Sequence, residues 1–325
     1  MKIMMLSWEY PPKSVGGLAQ HVYDLSTALA DDGQEIDLIT VGDHGLPSFE
    51  RVNGIQVHRA APYNLNAPHF IPWIIQLNIS MLEQAVSLFN HEGYYDIIHA
   101  HDWLVAYTGR ALKHIHKIPL IATIHATEYG RNHGLHNQDQ NYISDVEWWL
   151  TFEAWKVICC SDYMKKELKN VFGLPEDKIR AIYNGVDLEN YQSRVAKDGQ
   201  KSFRNQFATS EEKIVFFVGR LVQEKGVQVL FEAIPKILYY YPRCKFVIAG
   251  KGPMMEELRQ KALEMGIAER VIFTGYVNDE TRNLLYASSD VAVFPSLYEP
   301  FGIVALEGMA TQTPVIVSDT GGLSE

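Results

Sequence analysis

Asp290-Val-Ala-Val-Phe-Pro-Ser-Leu-Tyr-Glu-Pro-Phe-Gly-Ile-Val-Ala-Leu-Glu307 is the stretch on which the fold turns. Its first part, a short apolar run ending at Pro295-Ser296, reads as a buried parallel strand, and the residues after Pro300 read as a helix start. At such a start the amides of Gly302, Ile303 and Val304 lack intrahelical partners and attract anions. Glu299 stands just before that anion site, and Glu307 lies about 7 to 8 Å along the helix from Gly302. Carboxylates this close to a diphosphate would repel it. They make sense if each accepts hydrogen bonds from hydroxyls on either side of it. A nucleotide sugar has that layout: ring hydroxyls, diphosphate, ribose hydroxyls.

Upstream in the same half, Val215-Phe-Phe-Val-Gly-Arg-Leu-Val-Gln-Glu-Lys-Gly226 reads as a strand ending at Gly219, followed by Arg220 and Lys225 before a helix. The carboxyl end of a strand in an open α/β sheet is where ligands bind. Two cations on one such loop can clamp a diphosphate and stabilise it as a leaving group. Short β-branched runs continue on both sides. In this half they are Ile214–Val218, Lys245–Ala249, Val271–Thr274, Val291–Phe294 and Pro314–Ser318. In the other half they are Lys2–Trp8, Glu35–Val41, Ile55–Ala60, Asp96–His101, Pro119–His125, Lys156–Ser161 and Ile179–Tyr183. Amphipathic stretches separate them, which predicts two doubly wound parallel sheets, one in residues 1–187 and one in residues 188–325. Residues 187–211 are polar and aperiodic, as expected of a linker and lead-in helix. With five strands and a terminal Gly-Gly-Leu-Ser-Glu325 loop, the second half reads as truncated, short of a last strand and closing helices.

The chain has 325 residues, 47% hydrophobic and 21% charged, which suits two globular domains. A net charge of −10 argues against generic nucleic-acid binding, so cations must be placed locally wherever a phosphate binds. Three cysteines, two of them adjacent, make a disulfide framework improbable and fit a reducing cytoplasm. No apolar run reaches the 18 or so residues of a membrane span. Pro72-Trp-Ile-Ile-Gln-Leu77, the nearest candidate, reads as a core or lid helix.

Weaker signals lie in the first half. Ser14-Val-Gly16-Gly17-Leu18 follows the first strand, and adjacent glycines let backbone approach a ligand closely. Strand alternation puts His99 and His101 on one face, with Asp102-Trp103 following, and His125 ends the next strand at the same end of the sheet. No Cys/His/Glu partner set completes a zinc site, so no metal is expected. The Gly250-Lys-Gly252-Pro253 run lacks the third glycine of a dinucleotide fingerprint. A two-carboxylate hydrolase is disfavoured because Glu299 and Glu307 share one strand–loop–helix unit with a phosphate-type helix start. There is no Asp-x-Asp to hold a divalent ion on a diphosphate.

At these residues the chain resembles retaining glycosyltransferases of the GT-B fold, especially family 4, with glycogen and starch synthases as relatives. The resemblance implies two Rossmann-like domains facing across a cleft, an acceptor-side domain at 1–187 and a nucleotide-sugar-binding domain at 188–325. It implies that Glu299 holds the donor sugar's hydroxyls, Glu307 the ribose, and Arg220 and Lys225 the diphosphate, assisted by the amides of Gly302, Ile303 and Val304. His125 matches the active-site histidine of a Thr-x-His motif, His101 and Asp102 a cleft-lining segment, and Gly16 and Gly17 the loop that meets the donor. The chain departs from glucan synthases at Ser14-Val15, where they carry Lys-x before the Gly-Gly; here Lys13 is one residue too early. The implied activity is metal-independent hexosyl transfer from ADP-glucose or UDP-glucose to a saccharide, such as an α-1,4-glucan. Nucleotide-sugar epimerase, glucan phosphorylase and a catalytically inactive nucleotide-sugar-binding module stand as alternatives. The nucleotide base, sugar epimer, acceptor and oligomeric state are not specified by the sequence.

Overall fold

A computed structural model describes residues 1–325 other than 15, 44, 64 and 193–196. Val15 of the predicted Gly-Gly loop and residues 193–196 of the predicted linker therefore lie outside the described residues. The chain forms two compact units, Met1–Tyr183 and Asn184–Glu325.

The first unit runs β1 (Lys2–Leu6), α1 (Gly17–Asp31), β2 (Glu35–Val41), β3 (Phe49–Val52), β4 (Ile55–Ala60), α2 (Phe70–Glu92), β5 (Ile97–His101), α3 (Ala106–His116), β6 (Leu120–Ile124), α4 (Glu128–Asn132), α5 (Gln138–Glu153), β7 (Lys156–Cys159), α6 (Asp162–Phe172) and β8 (Ile179–Ala181). Its sheet order is β3-β4-β2-β1-β5-β6-β7-β8. Every pairing is parallel except β3 with β4. The expectation of a wholly parallel sheet missed β3. Its signal was the Asn53-Gly54 pair, whose positive φ values of 48° and 79° suit a tight hairpin turn. The Pro72–Leu77 segment, expected as a core or lid helix, lies in α2, which begins at Phe70. Proline is tolerated there because first-turn amides have no intrahelical acceptor. Helix α5 departs from the amphipathic pattern, since its apolar residues do not keep one face. Its start was nonetheless marked by Asn137, whose side chain accepts the Gln140 N–H at 2.9 Å.

The second unit runs α7 (Leu188–Gln192), α8 (Lys197–Arg204), β9 (Lys213–Val218), α9 (Val227–Tyr240), β10 (Cys244–Ala249), α10 (Met255–Glu264), β11 (Val271–Gly275), α11 (Asp279–Ser288), β12 (Val291–Phe294), α12 (Ile303–Ala310) and β13 (Val315–Val317). All five strands are parallel, in the order β11-β10-β9-β12-β13. The unbroken apolar run of β9 has a direct cause. Val215 and Phe217 pack with Phe246, Ile248 and the α9 residues Leu230, Phe231 and Ile234 on one face. Ile214 and Phe216 pack with Val247, Tyr286 and Phe294 on the other. Both faces are covered, so the strand is apolar from Ile214 to Val218 and only Lys213, at its exposed start, is polar. Among the described residues, no helix is long and apolar enough to cross a membrane.

Candidate functional site

In the second unit the strand order reverses between β9 and β12. The carboxyl ends of strands flanking such a switch point are where an open α/β sheet leaves room for a ligand. From β9 the chain passes through Gly219 and Arg220 into a 3-10 turn at Gln223–Lys225; from β12 it passes through Ser296 to Glu299. The two loops are tied together, because the Glu224 carbonyl accepts the N–H groups of Leu297 at 2.8 Å and Tyr298 at 3.2 Å. Lys225 Nζ donates to both Oε1 and Oε2 of Glu299 at 2.8 Å, and the Ser296 hydroxyl donates to Oε2 at 3.0 Å. The Glu299 side chain is only 7% exposed, that of Lys225 24%. Arg220, at 42%, pairs with Glu224 Oε1 at 3.0 Å. Each of the two predicted cations is thus partly neutralised by a neighbouring carboxylate, and each keeps an open side.

Helix α12 starts at Ile303, after Gly302 with φ 96°, and the Gly302 carbonyl accepts the Ala305 N–H at 2.9 Å. Gly302 is buried, with Leu323 against it, while Ile303 and Val304 are half-buried. The loop bearing Leu323 is anchored by the Gly322 N–H, which donates to the Glu299 carbonyl at 2.9 Å. The predicted anion site is therefore flanked by the Gly321-Gly322-Leu323 loop.

Glu307 is more enclosed than the sequence suggests. Its side chain is 4% exposed. The Tyr191 hydroxyl donates to Oε1 at 3.3 Å, the Tyr286 hydroxyl is shared between Oε2 at 3.2 Å and the Val304 carbonyl at 2.9 Å, and Arg282 Nε lies 3.5 Å from Oε2. Burial pushes the Glu307 carboxyl up, and the Arg282 charge pulls it back. Burial likewise opposes the charge on Arg282, but the carboxylates of Glu307 and Asp279 outweigh it and hold the guanidinium above its ordinary value. Arg282 and Tyr286 were missed. Their four-residue spacing on α11 was the available signal; Tyr191 offered none. Tyr286→Phe removes the shared donor from a buried carboxylate and should cost about 1 to 3 kcal/mol in denaturant unfolding, with m unchanged. Unchanged stability would mean the hydroxyl is not holding Glu307.

In the first unit the order reverses between β1 and β5. Gly16 caps α1 and Gly17 is its first residue; both are exposed. A Cβ added to Gly16 would have nothing within 4 Å, so the unit's own packing does not demand glycine there. His99 and His101 do share a face, with ring centroids 4.3 Å apart. His99 Nε2 bonds Thr123 Oγ1 at 2.7 Å, and His101 Nδ1 bonds His125 Nε2 at 3.1 Å. Asp102 adopts φ 60°, ψ 172°, a backbone state that costs a non-glycine residue about 1 to 3 kcal/mol. Its carboxylate accepts the His125 N–H at 2.7 Å and so locks the end of β5 to the end of β6. Burial raises the Asp102 carboxyl to about 6, against the pull of Arg131. Burial also pushes His99 and His125 down to about 3 and His101 well below the usual imidazole value, so all three rings are neutral at pH 7. The expectation that no partner completes a histidine cluster needs correction. His21, on α1, brings a ring nitrogen so that those of His21, His101 and His125 lie within 4.8 Å of one another. Its distance along the chain hid it from any spacing rule.

Comparison with known proteins adds the following. Residues 15–190 match the family described as Glycosyltransferase Family 4, and residues 198–325 match the one described as Glycosyl transferases group 1. An uncharacterised glycosyltransferase of Methanocaldococcus jannaschii is 43% identical over 326 residues, covering 100% of this chain and 82% of that protein. A glycogen synthase of Mycobacterium tuberculosis is 34% identical over 341 residues, covering 100% and 80%. Among solved structures, a sucrose-phosphate synthase from Thermosynechococcus elongatus superposes with a TM-score of 0.84 at 26% identity, covering 99% of this chain and 82% of that one. These matches agree with the GT-B architecture of two Rossmann-like sheets.

Proposed function

The chain belongs to the glycosyltransferases, with a Glycosyltransferase Family 4 match followed by a group 1 match, and from that premise we propose a retaining hexosyltransferase that uses a nucleoside-diphosphate sugar. Residues 1–187 serve the acceptor and residues 188–325 the donor. What carries the reading is the Lys225–Glu299–Ser296 arrangement at the carboxyl ends of β9 and β12, set against the start of α12. Glu299 accepts hydrogen bonds from the sugar's hydroxyls. Lys225 and Arg220 hold the diphosphate and stabilise it as it leaves, with the amides of Ile303 and Val304 and the Gly302 turn beside it. Glu307, kept in place by Tyr191, Tyr286 and Arg282, receives the ribose hydroxyls. In the first unit we assign His125, a neutral ring positioned by Asp102 and His101, to catalysis, and Gly16 and Gly17 to substrate binding.

Glucose from ADP-glucose or UDP-glucose, passed to an α-1,4-glucan, is the favoured chemistry, supported by the 34% identity with a glycogen synthase. Because Arg220, Lys225 and a helix start can neutralise the leaving group, no metal is required. The test is a donor screen, ADP- and UDP-glucose with and without glycogen, run with and without EDTA. Glucan elongation with α-linked product, unaffected by EDTA, is expected. Conversion of donor without acceptor would point to an epimerase, absorbance from a pyridoxal Schiff base to a phosphorylase, and binding without turnover to an inactive module. An EDTA-sensitive rate would overturn the metal-free mechanism.

A further inference from the structure

We propose that His21, His101 and His125 form a binding site for one divalent transition-metal ion of the zinc type. The proposal stands on geometry and goes beyond the transferase reading. One ring nitrogen from each of the three histidines lies within 4.8 Å of the other two. A tetrahedral ion with bonds of about 2.0 to 2.1 Å places its nitrogen ligands roughly 3.4 Å apart. His101 Nδ1 and His125 Nε2, at 3.1 Å, already meet that spacing. His21, half-buried on α1, must close by at most about 1.4 Å to reach it.

His101 is fully buried, and among the described residues its Nε2 has no hydrogen-bond partner. A buried imidazole nitrogen left in that state is costly, which marks the ring as one whose polar atoms the unit's own groups do not fully satisfy. Three imidazoles select zinc, cobalt, nickel or copper over magnesium or calcium, which prefer oxygen. With three protein ligands the ion keeps an open fourth position. The rings come from three separate elements: α1, which follows β1; β5, beside β1; and the residue just after β6, beside β5. Capture would take His125 away from catalysis, so zinc should inhibit transfer; that consequence alone rests on the function proposed above.

Titration of the untagged full chain with Co²⁺, followed by its ligand-field absorption, tests the site. One equivalent of Co²⁺ should give the intense bands of low coordination, and Zn²⁺ should displace it. The signal should vanish in His21→Ala and in His125→Ala, with folding checked by circular dichroism, and persist in His91→Ala, which alters an exposed histidine. Absence of such bands in the unaltered chain would overturn the proposal, as would bands that survive in both His21→Ala and His125→Ala. Stoichiometric binding with undiminished transfer would uphold the site and remove His125 from the role given to it in catalysis.

Discussion

Glu299→Ala should lower kcat/KM for hexosyl transfer by roughly 10³-fold, about 4 kcal/mol, while the nucleoside diphosphate alone binds within about threefold of the unaltered chain. The asymmetry follows from what the carboxylate touches. Its two oxygens are held by Lys225 Nζ at 2.8 Å and by the Ser296 hydroxyl at 3.0 Å, in a site where the Glu299 side chain is 7% exposed. Fixed in this way, it can present its remaining lone pairs to sugar hydroxyls without first reorganising. Truncation removes those acceptors but leaves Lys225, 24% exposed, with its full charge available to phosphate. Affinity for the diphosphate should therefore survive. Calorimetry with the nucleoside diphosphate, set beside initial rates with the sugar donor, separates the two effects. Parallel loss of both would show that Glu299 serves the phosphate side or the loop's integrity, and the sugar-side assignment would fall.

Gly226→Ala should cost about 3 to 4 kcal/mol and, for a unit of this size, lower Tm by roughly 10 °C. Gly226 has φ +68°, and a Cβ there would stand 1.7 Å from the Pro295 carbonyl oxygen and 2.6 Å from its carbon. The obstacle is backbone, so no rotamer change relieves it. Either the turn carrying Lys225 or the end of β12 must move, and movement of either separates Lys225 from Glu299. Transfer should drop along with stability, by at least about 10²-fold, since small misplacements of a reacting group are costly. Gly16→Ala is the contrast. With nothing within 4 Å and an extended φ of −163°, it should leave Tm unchanged. A Gly226→Ala protein that melts with the unaltered chain would show that the close approach of the two loops is not structurally required.

The residues that build this site were legible in unequal measure. Glu299, Gly302 and Glu307 fall within one strand–loop–helix segment, so hydrophobic periodicity and the proline and glycine breaks locate them together. Arg220 and Lys225 were legible for the same reason at the end of β9. The pairing of Lys225 with Glu299 was not. The Lys225–Glu299 pair joins residues 74 positions apart, and Tyr191 reaches Glu307 across 116. Strand β3 escaped because its four residues lack a sustained apolar run, although the turn that follows it carried a signal.

Local pattern is enough to specify two doubly wound sheets and the loops that bear charge, because burial on both strand faces forces continuous apolar runs and helix starts have their own chemistry. Which acid meets which base, the enclosure of Glu307, and the gathering of His21 with His101 and His125 depend on strand order. The order brings β9 beside β12 and β1 beside β5. Adjacency of that kind is set by the packing of whole layers and leaves no mark in the spacing of the residues it brings together.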